Sequence, residues 1–197
     1  MKKRYVSQNS RKIRIISGLW RGRKFSTPDM PGLRPTKDRI RETLFNWLAP
    51  VIKGTRCLDC FAGSGSLGFE ALSRHAAHAT LLEYNHIIAA QLKKNVALIN
   101  TDKVTVQHTD ALKWLLCPGI PYHVAFLDPP FRKGLLPETV MLLENNGWLT
   151  EHAYIYVESE TENSPKNIPL HWNVYRKKVS GQVSYSLYKR GALIQGK

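Results

Sequence analysis

The sequence predicts an α/β protein with a mainly parallel sheet, helices on both faces of that sheet and a β-hairpin before it. Strand-like and helix-like segments alternate after residue 50, which is typical of a parallel sheet. The last two strand-like segments are separated only by residues 180–182, so they must pair as a hairpin and give the sheet an antiparallel carboxyl-terminal strand. A length of 197 residues, 43% of them hydrophobic, suits one main domain.

The start of the chain is strongly basic. Residues 1–41 hold thirteen Lys or Arg against two Asp and carry +11 of the formal charge of +14. Ile13, Ile15 and Ile16 precede a glycine-containing turn and Phe25 follows it, so we expect a β-hairpin rather than a solvated, flexible tail. We assign residues 1–27 to a basic extension that docks on phosphates and residues 28–197 to the main domain. The candidate phosphate-binding residues are Arg21, Arg23, Lys24, Arg34 and Arg39.

The other elements follow from apolar periodicity. A helix begins near Thr36, carries Ile40, Leu44 and Leu48 on one face and ends at Pro50. The further predicted strands are residues 56–61, 80–83, 104–107, 124–127, 154–158, 172–179 and 183–189. The further predicted helices are residues 67–74, 87–99, 111–116 and 135–145.

A glycine-rich turn follows the first strand of the predicted sheet. Residues 59–68 end that strand, turn through Gly63 and Gly65 and open a helix, at the place where ligands meet the carboxyl ends of parallel strands. Glu83 ends the next strand, and its carboxylate can accept hydrogen bonds from the two hydroxyls of a ribose. Together these features predict a cofactor that contains adenosine.

The glycine spacing G-x-G-x-x-G is compatible with NAD and with S-adenosylmethionine, so a nicotinamide dehydrogenase is one alternative. Asp59 favours S-adenosylmethionine, because a carboxylate beside the loop suits the ammonium group of the methionine moiety and would repel a pyrophosphate. Asp110, next to Ala111, could bind the adenine amino group or cap a helix, and the sequence leaves both open.

The segment Asp-Pro-Pro-Phe, residues 128–131, follows an apolar strand at the same edge of the sheet. Asp128 and the carbonyl of Pro129 can accept both hydrogens of an exocyclic amino group and stabilise the positive charge that its nitrogen gains during methyl transfer. Phe131 offers a face on which a flipped base can stack. An ordinary Asp-Pro turn is the alternative, but the glycine loop upstream favours an amino-methyltransferase site in which these residues are catalytic.

With these motifs the chain resembles the class I, Rossmann-like amino-methyltransferases of nucleic acid bases and, more narrowly, the RsmD family of 16S ribosomal RNA guanine-N2 methyltransferases. The resemblance rests on residues 15–24, 33–36, 38–39, 41–48, 63–68, 127–131, 134–136 and 156–160. It implies transfer of a methyl group from S-adenosylmethionine to a guanine amino group in the small ribosomal subunit. It also implies that Gly63, Gly65 and Glu83 bind the cofactor and that Asp128 and Phe131 handle the base.

The resemblance leaves two rival functions to consider, and the chain departs from the family pattern at one residue. A DNA adenine or cytosine amino-methyltransferase would use the same acceptors, but such enzymes usually carry an added target-reading domain. A noncatalytic RNA-binding protein would not need Gly63, Glu83 and Asp128 together. Asn85 stands where the family pattern has an acidic residue, which affects only a detail of cofactor binding.

Metal, membrane and disulfide chemistry are disfavoured. Cys57-x-x-Cys60 followed by His75-x-x-His78 has too short a His spacing for the usual zinc site, and cysteines three apart on a strand point to opposite faces. The chain shows no secretory signal, no apolar run of about 18 residues and only three cysteines. We expect a cytoplasmic monomer that uses S-adenosylmethionine, binds 16S ribosomal RNA and has no metal or membrane partner.

Overall fold

The computed structural model describes residues 10–31, 33, 36–131, 133–162, 165 and 167–191. Its strands are β1 (Ser10–Arg14), β2 (Lys24–Pro28), β3 (Arg56–Asp59), β4 (His78–Glu83), β5 (Val104–His108), β6 (Tyr122–Leu127), β7 (Leu149–Glu160), β8 (Trp172–Ser180) and β9 (Val183–Arg190). Its helices are α1 (Asp38–Leu48), α2 (Ser66–Ser73), α3 (His86–Ile99), α4 (Ala111–Leu115) and α5 (Leu135–Asn145). Every predicted element is present. The largest difference is at β7, which begins at residue 149 and not at the predicted residue 154, because the polar residues 150–152 do not resemble a buried strand.

Seven strands form one sheet in the order β5-β4-β3-β6-β7-β9-β8. Strands β3 to β7 pair in parallel, whereas β9 lies antiparallel between β7 and β8. Strands β1 and β2 form a separate antiparallel hairpin. The predicted α/β class, the terminal hairpin and the N-terminal hairpin are therefore confirmed.

The core is divided between the two faces of the sheet. Cys57, Phe126 and Tyr156 belong to one apolar cluster, on the face that we call the hairpin face because Ile13 of β1 belongs to the same cluster. Cys60 belongs to the cluster on the opposite face, so the two cysteines point away from each other as expected. In the part of the chain that the structure describes, no group of three or more His, Cys, Asp and Glu side chains could hold a metal ion. Nor does any helix in that part have the length and apolar character needed to cross a membrane.

The N-terminal hairpin is joined closely to the main domain. Ile13 and Phe25 are buried, and the Phe25 ring stacks on Phe69 of α2 with 4.8 Å between ring centroids. Gly18 has a φ of +83°, and a Cβ at this position would lie 1.9 Å from the carbonyl oxygen of Ser73, so only glycine fits. Deleting residues 1–27 would expose the apolar core. A loss of RNA binding after that deletion would therefore not show whether the hairpin docks on RNA or is needed for folding. The boundary at residue 27 stays a prediction.

A buried ionic network ties the hairpin to helices α1 and α2. The fully buried carboxylate of Glu70 accepts hydrogen bonds from the backbone amides of Ile16 at 2.8 Å and Ser17 at 3.0 Å. Arg41, also fully buried, has its Nε 4.0 Å from Glu70 and donates from Nη2 to the carbonyl oxygen of Arg14 at 2.5 Å. Burial lowers the pKa of Arg41 from its ordinary value. Its counter-charges are the exposed carboxylate of Asp38, 3.0 Å from Nη2, and the buried carboxylate of Glu70.

Replacing Glu70 with Ala should lower the free energy of unfolding by about 3–5 kcal/mol, because Arg41 loses its buried counter-charge and two backbone amides lose their acceptor. Urea unfolding of the full chain measures this change. The matched control is Glu42→Ala on the exposed side of α1, which should change stability by less than about 0.5 kcal/mol. Equal stability of the two variants would contradict the role given to the network.

Candidate active site

Four carboxylates gather at one edge of the sheet. Asp59 ends β3, Glu83 ends β4, Asp128 directly follows β6 and Glu158 lies near the end of β7. These four strands are parallel and consecutive in the order β4-β3-β6-β7, so their carboxyl ends share an edge. The register pairs residue 127 with residue 157, which makes Asp128 and Glu158 neighbours across the two strands. The structure thus brings together the three acidic residues predicted for the strand ends.

The glycine loop between β3 and α2 turns tightly. The backbone amide of Gly65 donates to the carbonyl oxygen of Ala62 at 2.7 Å. Gly63 and Gly65 have φ values of +49° and +76°, a region that side chains disfavour. A Cβ on Gly65 would also lie 2.6 Å from the side chains of Leu92 and Phe69. Both backbone angle and packing therefore require glycine at residue 65.

Glu83 joins the glycine loop to the start of α3. Its carboxylate accepts hydrogen bonds from the backbone amides of Gly63 at 2.9 Å and Asn85 at 2.7 Å. Burial raises the pKa of Glu83, and these two amides partly oppose that shift. Each oxygen keeps a lone pair for a ligand hydroxyl, so the predicted contact with a ribose stays a prediction.

Asn85 has a structural role of its own. Its side chain caps α3 by accepting hydrogen bonds from the backbone amides of Ile87 at 2.9 Å and Ile88 at 3.3 Å. Asparagine is among the preferred residues for such a cap. Asn85 departs from the family pattern, but it still caps the start of α3.

Asp59 is a buried carboxylate without a partner. The residue is 2% exposed, and neither carboxylate oxygen has a hydrogen-bond partner in the described part of the chain. Burial raises the pKa of Asp59 to about 7 and the charge of Glu83 adds to the shift. The backbone amides of Gly68 and Phe61 lie near the carboxylate, outside hydrogen-bonding geometry, and partly oppose the shift. An unpaired buried carboxylate is costly, and a ligand ammonium group would relieve that cost.

Asp128 lies in a more open position. The residue is half-buried, and its Oδ2 accepts a long hydrogen bond of 3.4 Å from the Thr36 hydroxyl. Burial raises the pKa of Asp128 well above its ordinary value, and the charges of Glu158 and Asp59 raise it further. Pro129 is buried, whereas the Phe131 side chain is exposed, as a stacking surface must be.

Sequence reasoning missed Thr36, Tyr156 and Glu158 as site residues. Glu158 is buried and accepts a hydrogen bond of 2.7 Å from the Tyr156 hydroxyl. Burial raises the pKa of Glu158, while the Tyr156 hydrogen bond and the charge of Lys37 lower it. The available signal was an acidic residue at the end of an apolar strand, the same signal that identified Asp128.

Asp110 caps helix α4. Its Oδ1 accepts hydrogen bonds from the backbone amides of Leu112 at 2.9 Å and Lys113 at 3.2 Å. The helix-cap interpretation is therefore confirmed. Ala111, the first residue of the helix, is buried. Contact of Asp110 or Ala111 with an adenine stays a prediction.

Four of the five predicted phosphate-binding residues are described, and they lie on the hairpin and on α1. Three are exposed, namely Arg21, Lys24 and Arg39. Arg23 is also exposed, but its Nη2 donates to the carbonyl oxygen of Leu98 at 2.7 Å, which holds the hairpin against α3. Arg34 lies outside the described residues.

Comparison with known proteins gives a consistent result. The family model described as Conserved hypothetical protein 95 matches residues 13–189. Ribosomal RNA small subunit methyltransferase D of Escherichia coli (strain K12) is 57% identical over 183 residues, which cover 93% of this chain and 92% of that protein. The chain belongs to the RsmD family.

Further relatives agree with membership of the RsmD family. Ribosomal RNA small subunit methyltransferase D of Haemophilus influenzae is 47% identical over 193 residues, covering 96% of this chain and 100% of that protein. The solved structure described as a putative methyltransferase yhhF from Escherichia coli has a TM-score of 0.87 and 54% identity, and covers 92% of this chain and 99% of its own. The chain is therefore a methyltransferase of the RsmD family. The predicted family and the predicted class I fold are confirmed.

Proposed function

We propose that this methyltransferase transfers a methyl group from S-adenosylmethionine to the exocyclic N2 of a guanine in 16S ribosomal RNA of the small subunit. The observation that carries the proposal is that a candidate cofactor site and a candidate base site lie next to each other at one edge of the sheet. The unpartnered, buried carboxylate of Asp59 lies beside the glycine loop, and the half-buried carboxylate of Asp128 follows the neighbouring strand. The name of the RsmD relatives supports the RNA substrate.

The residues at the glycine loop fit S-adenosylmethionine. Asp59 would pair with its ammonium group, Glu83 would accept hydrogen bonds from its ribose, and the turn at Gly63 and Gly65 leaves backbone close to the ligand. S-adenosylmethionine supplies a methyl group bonded to a positively charged sulfur, which is the electrophile that a weakly nucleophilic amine requires. Asp110 and Ala111 would lie near the adenine.

Asp128 would hold the target amine. Its carboxylate and the carbonyl oxygen of Pro129 would accept the two amine hydrogens, direct the nitrogen lone pair toward the methyl carbon and stabilise the positive charge formed as the nitrogen–carbon bond forms. The raised pKa of Asp128 also suits it to take up the proton that the methylated nitrogen loses. Phe131 would stack on the base.

The exposed cations Arg21, Lys24 and Arg39 would contact RNA phosphates, with Arg23 and Arg34 as further candidates. We place the protein in the cytoplasm, where ribosomal subunits are its substrate, and propose that it acts as a monomer. A DNA amino-methyltransferase is the second enzyme class that the same acceptors could serve.

The test is transfer of labelled methyl from S-adenosylmethionine to small ribosomal subunits that lack this modification, to protein-free 16S ribosomal RNA and to DNA. The product nucleoside is identified by mass spectrometry. We expect N2-methylguanosine in RNA and none in DNA. Methylated adenine or cytosine in DNA would favour the second enzyme class, and no transfer despite binding of the cofactor would contradict the proposed substrate.

A further inference from the structure

The outer strand β8 has an exposed basic stretch. Residues 173–179 are all exposed. Pairing with β9 places Arg176 opposite Leu187 and Lys178 opposite Tyr185, and both partners belong to the apolar cluster of the hairpin face. Paired residues on antiparallel strands share a face, so Arg176 and Lys178 lie on the hairpin face. Asp128 belongs to the same face by strand alternation, because it comes two residues after Phe126.

Two tyrosines and a third cation complete this surface, which we call the outer basic surface: Tyr154, Tyr175, Arg176, Lys178 and Lys189. The Tyr154 and Tyr175 rings meet edge to face with centroids 5.6 Å apart. The Arg176 guanidinium lies 4.4 Å from the centre of the Tyr175 ring, and Lys189 Nζ lies 6.0 Å from that of Tyr154. Cations interleaved with aromatic rings on an exposed sheet are typical of surfaces that bind single-stranded nucleic acid.

The charge of this surface is not neutralised by the protein. Within the described residues, Arg176, Lys178 and Lys189 form no ion pair with a carboxylate. Uncompensated cations on one face attract a polyanion and repel other cationic surfaces.

The outer basic surface lies on the same face as the site edge, and helix α1 covers the row between them, because Trp47 stacks on the buried Tyr185 with 5.6 Å between ring centroids. Lys178 pairs with Tyr185, and Tyr185 pairs in turn with Glu158, the strand neighbour of Asp128. Adjacent strands lie about 4.8 Å apart, so Lys178 is about 14 Å from Asp128 along this row. A strand of RNA whose target base lies at Asp128 would reach β8 by passing over Trp47 and the covered row, since Tyr185 and Glu158 are buried.

We propose that the outer basic surface binds the RNA strand beside the methylated guanine. Arg176, Lys178 and Lys189 bind its phosphates, and Tyr175 stacks on an unpaired base. The proposal rests on the proposed function in RNA methylation and adds a second contact region, separate from the N-terminal hairpin. It predicts that residues near both ends of the chain contribute to the affinity for RNA.

A charged edge strand can also serve only to prevent pairing with other sheets, and β8 has the bulge at residues 174–176 that often accompanies this use. Protection of the edge requires charge but no particular face. Lys177, which pairs with Ser186, lies on the opposite face, so β8 carries charge on both faces. The other three cations and both tyrosines are grouped on the face of the site, which favours RNA binding over protection alone.

The test compares the full-length wild type with the double variant Arg176→Gln/Lys178→Gln and the matched control Lys53→Gln/Lys103→Gln. Lys53 and Lys103 are exposed before the amino ends of β3 and β5, at the opposite edge of the sheet. Binding to unmethylated small subunits and to protein-free 16S ribosomal RNA is measured at several salt concentrations. Methyl transfer and binding of S-adenosylhomocysteine are measured in parallel.

We expect the double variant to bind RNA about tenfold more weakly and to show a slope of log affinity against log salt that is shallower by about 1.5, because two phosphate contacts are lost. The change should raise KM and leave S-adenosylhomocysteine affinity at the wild-type value. Tyr175→Ala should weaken RNA binding about fivefold or more.

Equal RNA affinity and salt slope in the double variant and the control, with wild type active on RNA, would mean that β8 only protects its edge and would overturn the inference. Absence of RNA methylation by the wild type would overturn the proposed function instead. The binding measurements would still decide whether the surface binds RNA.

Discussion

Replacing Asp128 with Asn should lower the rate of methyl transfer by about a hundredfold or more and should raise the melting temperature of the protein. The side chain keeps nearly the same shape, but it loses the negative charge that stabilises the methylated amine, and its amide nitrogen cannot accept a hydrogen bond. At the same time the variant removes a carboxylate whose ionisation the folded protein disfavours.

The sign of the stability change follows from the pKa of Asp128, which burial and the charges of Glu158 and Asp59 raise above its ordinary value. The folded protein holds this proton more firmly than the unfolded chain, so stability falls as pH rises from the ordinary value of about 4 through the folded pKa. The stability advantage of Asp128→Asn should therefore be absent in acid and grow toward neutral pH.

Single-turnover methyl transfer and calorimetric melting at several pH values measure the two effects. The control is Asp102→Asn, an exposed aspartate before β5, which should change neither. A wild-type rate in Asp128→Asn would remove Asp128 from the proposed chemistry. A melting temperature that falls at neutral pH would show that its carboxylate stabilises the fold.

The fold could be predicted because most of its signals are local. Helix α5 lies at residues 135–145 as predicted, since apolar periodicity defines it and Gly134 precedes it. The insertion of β9 between β7 and β8 could not be predicted, because both final strands have similar strand-like composition. Only the long-range pairing of residues 154–160 with residues 183–189 distinguishes them.

The positions of the candidate site residues were predictable where an acidic residue ends or directly follows an apolar strand, as Asp59, Glu83 and Asp128 do. They were not predictable where contacts cross the chain. The Thr36 hydroxyl reaches Asp128 over 92 residues of sequence, and no local pattern joins them. Glu70 occupies a helix whose other residues are also buried, and its role as acceptor for the amides of Ile16 and Ser17 depends on a hairpin more than fifty residues earlier.

The affinity for S-adenosylhomocysteine, which carries the same ammonium group as the cofactor, should rise with pH between about 5 and about 7 in the wild type. Asp59 has a pKa of about 7 in the ligand-free protein because it is buried. A protonated carboxyl cannot pair with an ammonium group, so binding must first release the proton. Below pH 7 the affinity should fall by about tenfold per pH unit.

Titration calorimetry in buffers of different ionisation enthalpy measures both the affinity and the protons released. The wild type should release about half a proton per ligand near pH 7. Asp59→Asn should bind about tenfold more weakly at that pH, with an affinity that changes little between about pH 5 and 7. A pH dependence that persists in Asp59→Asn and disappears in Glu83→Gln would assign the proton to Glu83, whose pKa burial also raises.

The same carboxylate links ligand binding to stability. Because the folded pKa of Asp59 lies above its unfolded value, the ligand-free protein should lose stability as pH rises from about 4 to about 7. A bound ammonium group compensates the buried charge, so saturating S-adenosylhomocysteine should raise the melting temperature more at pH 7 than at pH 5. The buried carboxylate of Asp59 thus weakens the free protein in the pH range where it should hold the ligand most strongly.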